Sequence, residues 1–359
     1  MPRATSPAPP SPCTAAASGP PSWTPRTSTN PEPSEVVVPQ RAQQRAATTP
    51  DRTAAGRVVV VTGAGRGLGR AHALAFARAG ARVVVNDLGV ALDGAGGTGR
   101  AAAANGSPAG QVAAEIRAMG GEAAVSTDDV ADGEGAARLV RTALERFGRL
   151  DTLVNNAGFL RDRMLVNLGE DDWDAVVRVH LKGHFLPMKH AAAHWRAESK
   201  AGRPTRARIV NTTSGAGLLG AVGQGNYAAA KAGIAALTLV AAAEFGRYGV
   251  QVNAVAPAAR TRMTERTFAA DMAAPADGGF DAMAPDNVSP LVVYLGSDAS
   301  DGVTGRVFEA EGGRITVMDG WRRAARADKG AQWEPGELDA PLRELLRRSP
   351  DPECVYGAE

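Results

Sequence analysis

Short apolar runs rich in β-branched residues alternate along this chain with longer segments of helical spacing. The first three runs are RVVVVTG (57–63), ARVVVND (81–87) and EAAVSTDDV (122–130), each bounded by turn-forming residues. Short runs that are apolar throughout are typical of strands buried on both faces of a parallel sheet. The intervening segments 64–80 and 111–121 carry apolar residues at helical spacing. The pattern predicts a βαβαβ start with helices on both faces of the sheet.

The same alternation continues to about residue 320. Further helices are predicted over 133–148, 171–200, 227–246 and 288–298, and further strands over 149–158, 207–214, 250–257 and 305–313. No linker interrupts this order, so we expect one α/β domain over residues 54–320, doubly wound around a seven-stranded parallel sheet. Segment 89–110, rich in Gly and Ala, is predicted to be a long surface loop. Segment 262–286 lacks a steady period and is predicted to be a mobile lid with short helices.

Composition sets the two ends of the chain apart. Residues 1–53 are dominated by Pro, Ser, Thr and Ala without a periodic apolar pattern, which predicts disorder. Residues 321–359 form an extension rich in Arg and Pro, with one predicted helix around 341–348. The formal net charge of +2 is too small to indicate nucleic acid or a membrane surface as a partner. We also expect no membrane span, since no apolar run approaches the ~20 residues that one requires.

The cysteine and histidine patterns do not indicate a metal site. Cys13 and Cys354 lie near opposite ends of the chain, which fits neither a metal site nor a disulfide framework. We therefore expect a reducing compartment and a cytoplasmic location. His184, His190 and His194 follow one another at i, i+6 and i+10, which is not a metal-binding pattern.

A glycine-rich turn, TGAGRGLG (62–69), joins the first strand to the first helix. Gly63, Gly67 and Gly69 follow the spacing G-x-x-x-G-x-G. Glycine allows backbone to approach a pyrophosphate closely, and the helix N-terminus supplies amide donors and a positive dipole. In this strand–turn–helix context the turn predicts a dinucleotide site. The alternative is a tight turn with a purely structural role.

Asp87 ends the second strand, where a carboxylate can accept hydrogen bonds from the adenosine ribose hydroxyls. A carboxylate there would repel the 2′-phosphate of NADP. Arg66, within the glycine turn, favours the opposite choice because a guanidinium binds phosphate. We give more weight to Asp87 than to Arg66. A carboxylate at the end of a buried strand cannot move away from a 2′-phosphate, whereas an arginine side chain can adopt another rotamer. NAD is therefore the predicted cofactor, with NADP as the alternative. Asp87 could instead serve only to cap a turn.

Three reactive groups lie in the segment from Ser214 to Lys231. Tyr227 follows Ser214 by thirteen residues, and Lys231 follows Tyr227 by four. On a helix, Tyr227 and Lys231 share one face, so the ammonium should lower the pKa of the phenol. Such a phenol can exchange a proton with a reacting oxygen near neutral pH, and Ser214 could hold that oxygen by a hydrogen bond. Taken alone, the Tyr-x-x-x-Lys pattern could also be chance on an amphipathic helix.

The glycine turn, the Asn155–Gly158 turn, Ser214 and the Tyr227/Lys231 pair together resemble the short-chain dehydrogenase/reductase superfamily. They occur in its order and spacing across about 56–320. The finer segments NDLG, RVHLKG and GQGNYAAAKAG resemble one branch, the hydroxyacyl-CoA dehydrogenase domain of peroxisomal multifunctional enzyme type 2 (17β-hydroxysteroid dehydrogenase type 4). The resemblance implies a Rossmann fold and hydride transfer between a nicotinamide cofactor and a secondary alcohol or ketone. It also implies a small-molecule substrate, a 3-hydroxyacyl-CoA or a hydroxysteroid-like alcohol, and a homo-oligomer, either dimer or tetramer.

The resemblance also assigns roles to individual residues. Tyr227 would be the general acid/base, Lys231 would bind the nicotinamide ribose, and Ser214 would orient the substrate oxygen. His180 stands where many members have an asparagine that anchors a proton-relay water, largely through its backbone carbonyl; the alternative is a packed histidine. The implied cofactor-binding residues are Gly63, Arg66, Gly67, Leu68, Gly69, Asp87, Asp129, Val130, Asn156, Ala157, Gly158, Tyr227, Lys231, Pro257 and Thr261.

Two other functions stay open from the sequence. Arg66 is compatible with an NADPH-dependent 3-oxoacyl thioester reductase. A non-catalytic NAD-binding module would keep the glycine turn without needing Ser214, Tyr227 and Lys231 together. Substrate identity is expected to depend on residues 159–165, 215–222 and the predicted lid.

Overall fold

The computed structural model describes Val36 and residues 52–90, 106–261, 273–275, 278–350, 353 and 355. Most of the N-terminal segment predicted to be disordered, both cysteines, and most of the loop 89–110 lie outside these residues, as does the first part of the predicted lid. The chain divides into a compact unit, Pro50–Met318, and a second unit that comprises Met1–Thr49 and Asp319–Glu359.

A single sheet of eight strands forms the centre of the unit Pro50–Met318. The strands are β1 (Val58–Thr62), β2 (Arg82–Asn86), β3 (Ala123–Ser126), β4 (Thr152–Asn155), β5 (Ala207–Thr212), β6 (Val250–Ala258), β7 (Val307–Glu311) and β8 (Arg314–Met318). Their order is β3-β2-β1-β4-β5-β6-β7-β8. Strands β1 to β7 are parallel, and β8 is antiparallel to β7.

Helices cover both faces of this sheet, as the doubly wound prediction required. They are α1 (Gly67–Arg78), α2 (Pro108–Ala118), α3 (Gly133–Phe147), α4 (Glu170–Val177), α5 (Gly183–Lys200), α6 (Gly215–Leu219), α7 (Gly225–Phe245) and α8 (Ser289–Leu295), and the second unit contains α9 (Asp339–Arg348). Alternate valines of β1 point to opposite faces: Val59 and Val61 pack with α1, α2 and α8, whereas Val58 and Val60 pack with α3, α5 and α7. Burial on both faces explains why the strands are apolar throughout.

The prediction of a seven-stranded, wholly parallel sheet was wrong in one strand. Gly312 and Gly313 form a two-residue turn after β7, and Gly312 adopts a positive φ of 53°. Glycine at such a turn allows the chain to reverse into a hairpin, so β8 returns antiparallel along the edge. The sequence analysis ended the last strand at these glycines and overlooked the RITVM run that follows them.

One further expectation needs correction around the site. The helix predicted over 171–200 is interrupted by a π-helical turn, Arg178–Lys182, between α4 and α5. Within segment 215–222, which the sequence left without a predicted element, the Ser214 side chain accepts a hydrogen bond from the Ala216 amide and starts the short helix α6.

Helix α7 bears on the expectation of no membrane span, which stays a prediction. The segment Gly225–Tyr248 is long and apolar enough to cross a membrane by length and composition alone. Here the helix packs against β5 and β6, and core helices of soluble proteins pass the same test.

Candidate active site

The loops after β1 and β4 meet at the carboxyl edge of the sheet. The Thr62 hydroxyl oxygen accepts hydrogen bonds from the amides of Asn156 (2.9 Å) and Ala157 (3.1 Å). In return, the Asn156 side-chain amide donates to the carbonyl oxygens of Thr62 (3.1 Å) and Gly63 (3.3 Å). Since β1 lies between β2 and β4, this is the point where the strand order reverses and a doubly wound sheet opens a crevice.

The glycine turn has no room for side chains. A Cβ on Gly69 would lie 2.1 Å from the Gly63 carbonyl oxygen, and one on Gly63 would lie 2.7 Å from the Ala157 Cα. Gly63 and Gly67 also adopt positive φ values, 62° and 51°. Helix α1 then begins without a side-chain cap and without an acidic residue in its first turn, as far as the described residues show. Its first amides are therefore suited to an anion such as a pyrophosphate.

A cavity of about 560 Å³ lies along this turn. Twelve of the predicted cofactor residues line it: Gly63, Arg66, Gly67, Leu68, Gly69, Asp87, Asp129, Val130, Asn156, Ala157, Gly158 and Thr261. Three of the predicted cofactor residues, Tyr227, Lys231 and Pro257, are not among the lining residues. Pro257 lies within β6, opposite Ala310 of β7. The sequence analysis missed Arg70 and Glu115, which form an ion pair at the cavity, and Arg178, which binds Asp129 at 2.6 Å. A dinucleotide fits this combination of phosphate turn and carboxylates.

Two backbone amides fix the carboxylate of Asp87. The Gly65 amide donates to Oδ2 at 2.9 Å and the Gly89 amide to Oδ1 at 2.8 Å. Asp87 therefore does cap backbone amides, as the alternative interpretation proposed. A carboxylate has about four acceptor positions, so these two bonds leave capacity for ribose hydroxyls. Arg66, at the same cavity, is exposed.

Tyr227 and Lys231 lie one turn apart on α7, as predicted. The Lys231 Nζ lies 5.5 Å from the centre of the Tyr227 ring and donates a 2.6 Å hydrogen bond to the Thr212 carbonyl at the end of β5. Burial lowers the pKa of Lys231 to about 7. The amine is therefore balanced between its charged and neutral forms near neutral pH, and a nearby anion will favour the ammonium.

The segment that carries Ser214 packs directly on Lys231. A Cβ on Gly217 of α6 would lie 2.6 Å from both the Lys231 Cβ and the Ala232 amide nitrogen, so only glycine permits this approach. The Thr213 hydroxyl donates a 2.7 Å hydrogen bond to the Lys231 carbonyl. The structure thus brings the strand end with Ser214 against the turn of α7 that carries Tyr227 and Lys231.

His180 lies in the π-helical turn with its ring edge on Tyr227, the two ring centres being 5.1 Å apart. Its Nε2 is 2.7 Å from the Phe159 carbonyl oxygen and 3.1 Å from the Phe159 amide nitrogen. Burial, reinforced by the charge of Lys231, lowers the pKa of His180 to about 3, so the imidazole is neutral in the working range. These contacts favour the packed-histidine interpretation of the ring. A relay role of its backbone carbonyl stays a prediction.

His184, one turn after His180, is a buried neighbour that the sequence analysis did not connect with the site. Burial, followed by the charges of Lys231 and His180, lowers the pKa of His184 well below its usual range. Its Nε2, the Nδ1 of His180 and the Oδ1 of Asn155 are buried without a hydrogen-bond partner among the described residues. The i, i+4 spacing of the two histidines was the available sequence signal.

Comparisons with known proteins agree with this geometry. The family model described as short chain dehydrogenase matches residues 57–271. The hydroxyacyl-CoA dehydrogenase ChsB1 of Mycobacterium tuberculosis is 45% identical over 315 residues, which cover 87% of this chain and 95% of that protein. Peroxisomal multifunctional enzyme type 2 of Mus musculus is 42% identical over 272 residues, or 76% of this chain and 34% of that protein.

A solved structure is also similar along most of the chain. The crystal structure of a short chain dehydrogenase from Mycobacterium avium has 57% sequence identity and a TM-score of 0.75, and the match covers 85% of this chain and 99% of that one. The resemblance predicted from the motifs is confirmed by these matches.

Proposed function

Because the chain belongs to the short-chain dehydrogenase family, we propose that it is an NAD-dependent dehydrogenase of 3-hydroxyacyl-CoA esters. It is an oxidoreductase that transfers hydride between a nicotinamide cofactor and a CH–OH group. One observation carries the assignment of the reactive groups. Tyr227 and Lys231 share a face of α7, with the Ser214 segment packed against Lys231 at the edge of the sheet where the cavity opens.

Each catalytic group has a task that follows from its position. The Tyr227 phenolate takes the proton of the substrate hydroxyl, and the Ser214 hydroxyl holds the same oxygen by a hydrogen bond. The Lys231 ammonium stabilises the phenolate, because an opposite charge nearby favours the ionised phenol. A nicotinamide dinucleotide held by the glycine turn and Asp87 would supply the acceptor for the hydride of the carbinol carbon. The alcohol thereby loses a proton and a hydride and becomes a ketone, and reduction follows the same path in reverse.

The substrate class is supported by the relative from Mycobacterium tuberculosis, whose printed name is hydroxyacyl-CoA dehydrogenase and 95% of which aligns with this chain. A hydroxysteroid-like alcohol is the alternative substrate. Residues 159–165 follow β4 and residues 215–222 follow Ser214, so we expect these residues, together with the predicted lid 262–286, to determine which substrate binds.

For the cofactor, Asp87 supports NAD, since its carboxylate is held in place by two amides and a 2′-phosphate beside it would meet a fixed negative charge. Arg66 supports the second candidate function, an NADPH-dependent 3-oxoacyl thioester reductase, because its exposed guanidinium lies at the same cavity.

One assay tests both the reaction and the cofactor. Purified protein is offered 3-hydroxyacyl-CoA esters and hydroxysteroids with NAD or NADP, and the corresponding ketones with NADH or NADPH, with turnover read at the nicotinamide absorbance band. We expect faster turnover of hydroxyacyl-CoA with NAD. Tyr227→Phe should lower kcat at least about a hundredfold with the cofactor Kd unchanged, since general acid–base catalysis contributes about that much. Tyr248→Phe, on the turn after α7, is the matched control.

The results discriminate among the alternatives. Preference for NADPH in thioester reduction would favour the second candidate function. Equal turnover by Tyr227→Phe and wild type would refute the mechanism, even if the substrate is right.

We also propose self-association through the outer face of α5 and α7. Phe185, Leu239 and Val240 are 45%, 55% and 51% exposed there, which is unusual for large apolar side chains on adjacent helices. Sedimentation equilibrium of the purified chain would give the stoichiometry, and a monomer would contradict this proposal. A cytoplasmic location and the absence of nucleic-acid and membrane partners stay predictions from the sequence.

A further inference from the structure

Asn226, the residue immediately before Tyr227, is fully buried, and both the oxygen and the nitrogen of its side-chain amide are hydrogen-bonded. Its Oδ1 accepts a 2.8 Å hydrogen bond from the Tyr227 amide. Its Nδ2 donates to the carbonyl oxygens of Arg161 at 3.1 Å and Asp172 at 3.2 Å. An asparagine has one acceptor group and two N–H donors, so each is matched to one backbone group here.

These partners belong to three separate parts of the fold. Tyr227 lies in the first turn of α7, Arg161 in the loop after β4, and Asp172 in the first turn of α4. Asn226 is therefore the point at which the loop after β4 and the start of α4 are attached to the catalytic helix.

Two more bonds strengthen the attachment of this loop. The Arg163 amide donates to the Gly223 carbonyl at 2.8 Å, and the Gln224 side chain donates to Asp162 Oδ2 at 3.0 Å. The carboxyl of Asp162 is partly buried, and burial raises its pKa. Residues 161–163 are thus hydrogen-bonded to residues 223–226, which end the preceding turn and begin α7. That loop begins at the residues that line the cavity and continues to Arg161, whose carbonyl is bonded to Asn226 beside Tyr227.

We propose that Asn226 is a positioning residue for catalysis: it fixes the backbone at Tyr227 and holds the loop 159–163 in register with it. This inference rests on the proposed function, since it concerns the placement of the general acid/base. The side chain acts through Tyr227 and the loop and does not itself touch the reacting atoms. Positional errors of about 1 Å in such a group can cost about a hundredfold in rate.

The test is Asn226→Asp, which keeps the size of the side chain and the acceptor for the Tyr227 amide but replaces both donors with acceptors. Asn253→Asp is the matched control. Asn253 is also buried, donates to the Val303 carbonyl at 2.8 Å and accepts from the Arg306 amide at 3.1 Å, but it lies in β6 and outside the residues assigned to the site. Both variants lose donors to buried carbonyls, so both should be less stable to heat.

Only Asn226→Asp should change catalysis. We expect its kcat to fall about ten- to a hundredfold at a temperature where both variants are folded, with the Kd for NADH within about threefold of wild type. Asn253→Asp should keep wild-type kcat and Kd. Equal kcat for the two variants, corrected for folded fraction, would overturn the proposal. So would a loss of NADH affinity in proportion to the loss of kcat, because that result indicates general unfolding.

Hydrogen exchange gives a second readout that needs no substrate. Peptides spanning 159–173 and 224–232 should lose amide protection in Asn226→Asp and keep it in Asn253→Asp. Unchanged protection of these peptides would overturn the proposal even if kcat falls. If wild type turns over none of the candidate substrates, the proposed function fails, while exchange still decides whether Asn226 holds the loop to α7.

Discussion

Replacement of Gly158 by alanine tests how tightly the Asn155–Gly158 turn, His180 and Tyr227 are packed. A Cβ at position 158 would lie 2.1 Å from the His180 Cε1, 2.8 Å from Nδ1 and 2.9 Å from Nε2. The ring cannot yield freely, since it is buried, is hydrogen-bonded to the Phe159 backbone, and has its edge on Tyr227. Either the turn after β4 moves away from the cavity or the ring is pushed against Tyr227.

The expected cost follows from this overlap. Overpacking of a well-filled interior costs about 1–3 kcal/mol, and for a domain of this size each kcal/mol lowers Tm by roughly 2–4 °C. Gly158→Ala should therefore lower Tm by roughly 2–12 °C. A shift of Tyr227 by about 1 Å should also reduce kcat/KM by up to about a hundredfold. Thermal unfolding followed by circular dichroism, and initial rates with the best substrate, measure the two effects.

A double-mutant cycle attributes the effect to the ring. His180→Asn shortens the side chain, so Gly158→Ala should be tolerated better in that background, with a coupling of about 1–3 kcal/mol. Gly133→Ala is the control, because a Cβ at that helix start has no atom within 4 Å. The reasoning is refuted if Gly158→Ala costs as much with asparagine at 180 as with histidine, or if it has no more effect than Gly133→Ala.

Two predictions concern stability away from the reactive groups. Burial lowers the pKa of His72 from 6.5 to about 3. Between these pH values the histidine is protonated in the unfolded state and neutral in the folded state. The free energy of unfolding therefore decreases as pH falls from 6.5 to 3. Between pH 7 and pH 4, His72→Gln should remove up to about 3 kcal/mol of that loss, measured by urea unfolding at the two pH values; an unchanged difference between them would contradict the assignment. Arg57 is a buried cation that binds Thr152, the Asp151 carbonyl and Asp298 at the amino ends of the strands. Arg57→Met should cost about 1–3 kcal/mol in urea unfolding, because the buried Thr152 hydroxyl and Asp151 carbonyl lose a donor while Asp298 stays solvated, and it should leave kcat/KM of the folded enzyme unchanged. A large fall in kcat/KM would show that this end of the sheet does affect the site.

The sheet and its helical layers could be predicted because the apolar pattern records burial directly. Runs such as Val58–Val61 are apolar at every position since α1 covers one face and α3 the other. Strand β8 was not predicted because it is an edge strand with exposed Ile315 and Val317. Half-exposed strands give a weaker apolar pattern than buried ones. Its signal was the Gly312-Gly313 pair, which predicts a hairpin.

The candidate site was predictable where chemistry depends on residue type at fixed spacing. The glycine turn, Asp87 and the Tyr227/Lys231 pair all lie where their spacing placed them, at one edge of the sheet. The partners that hold them are mostly backbone groups, such as the Thr212 carbonyl that accepts from Lys231. Any residue type can supply a carbonyl, so the sequence carries no mark of such a contact. The π-helical turn is likewise invisible in side-chain spacing.

Two sets of contacts position Tyr227, and both involve the first residues after the Asn155–Gly158 turn. The ring of His180 touches Tyr227 and is bonded to the Phe159 backbone. Asn226 binds the Tyr227 amide and the Arg161 carbonyl. The stretch from 159 to 161 is therefore bonded at both ends to groups that contact Tyr227, the proposed general acid/base. A substrate that displaces this stretch must also displace Tyr227, so its fit to the loop is coupled to the geometry of proton transfer. Substrates that fit poorly should consequently lose kcat as well as affinity.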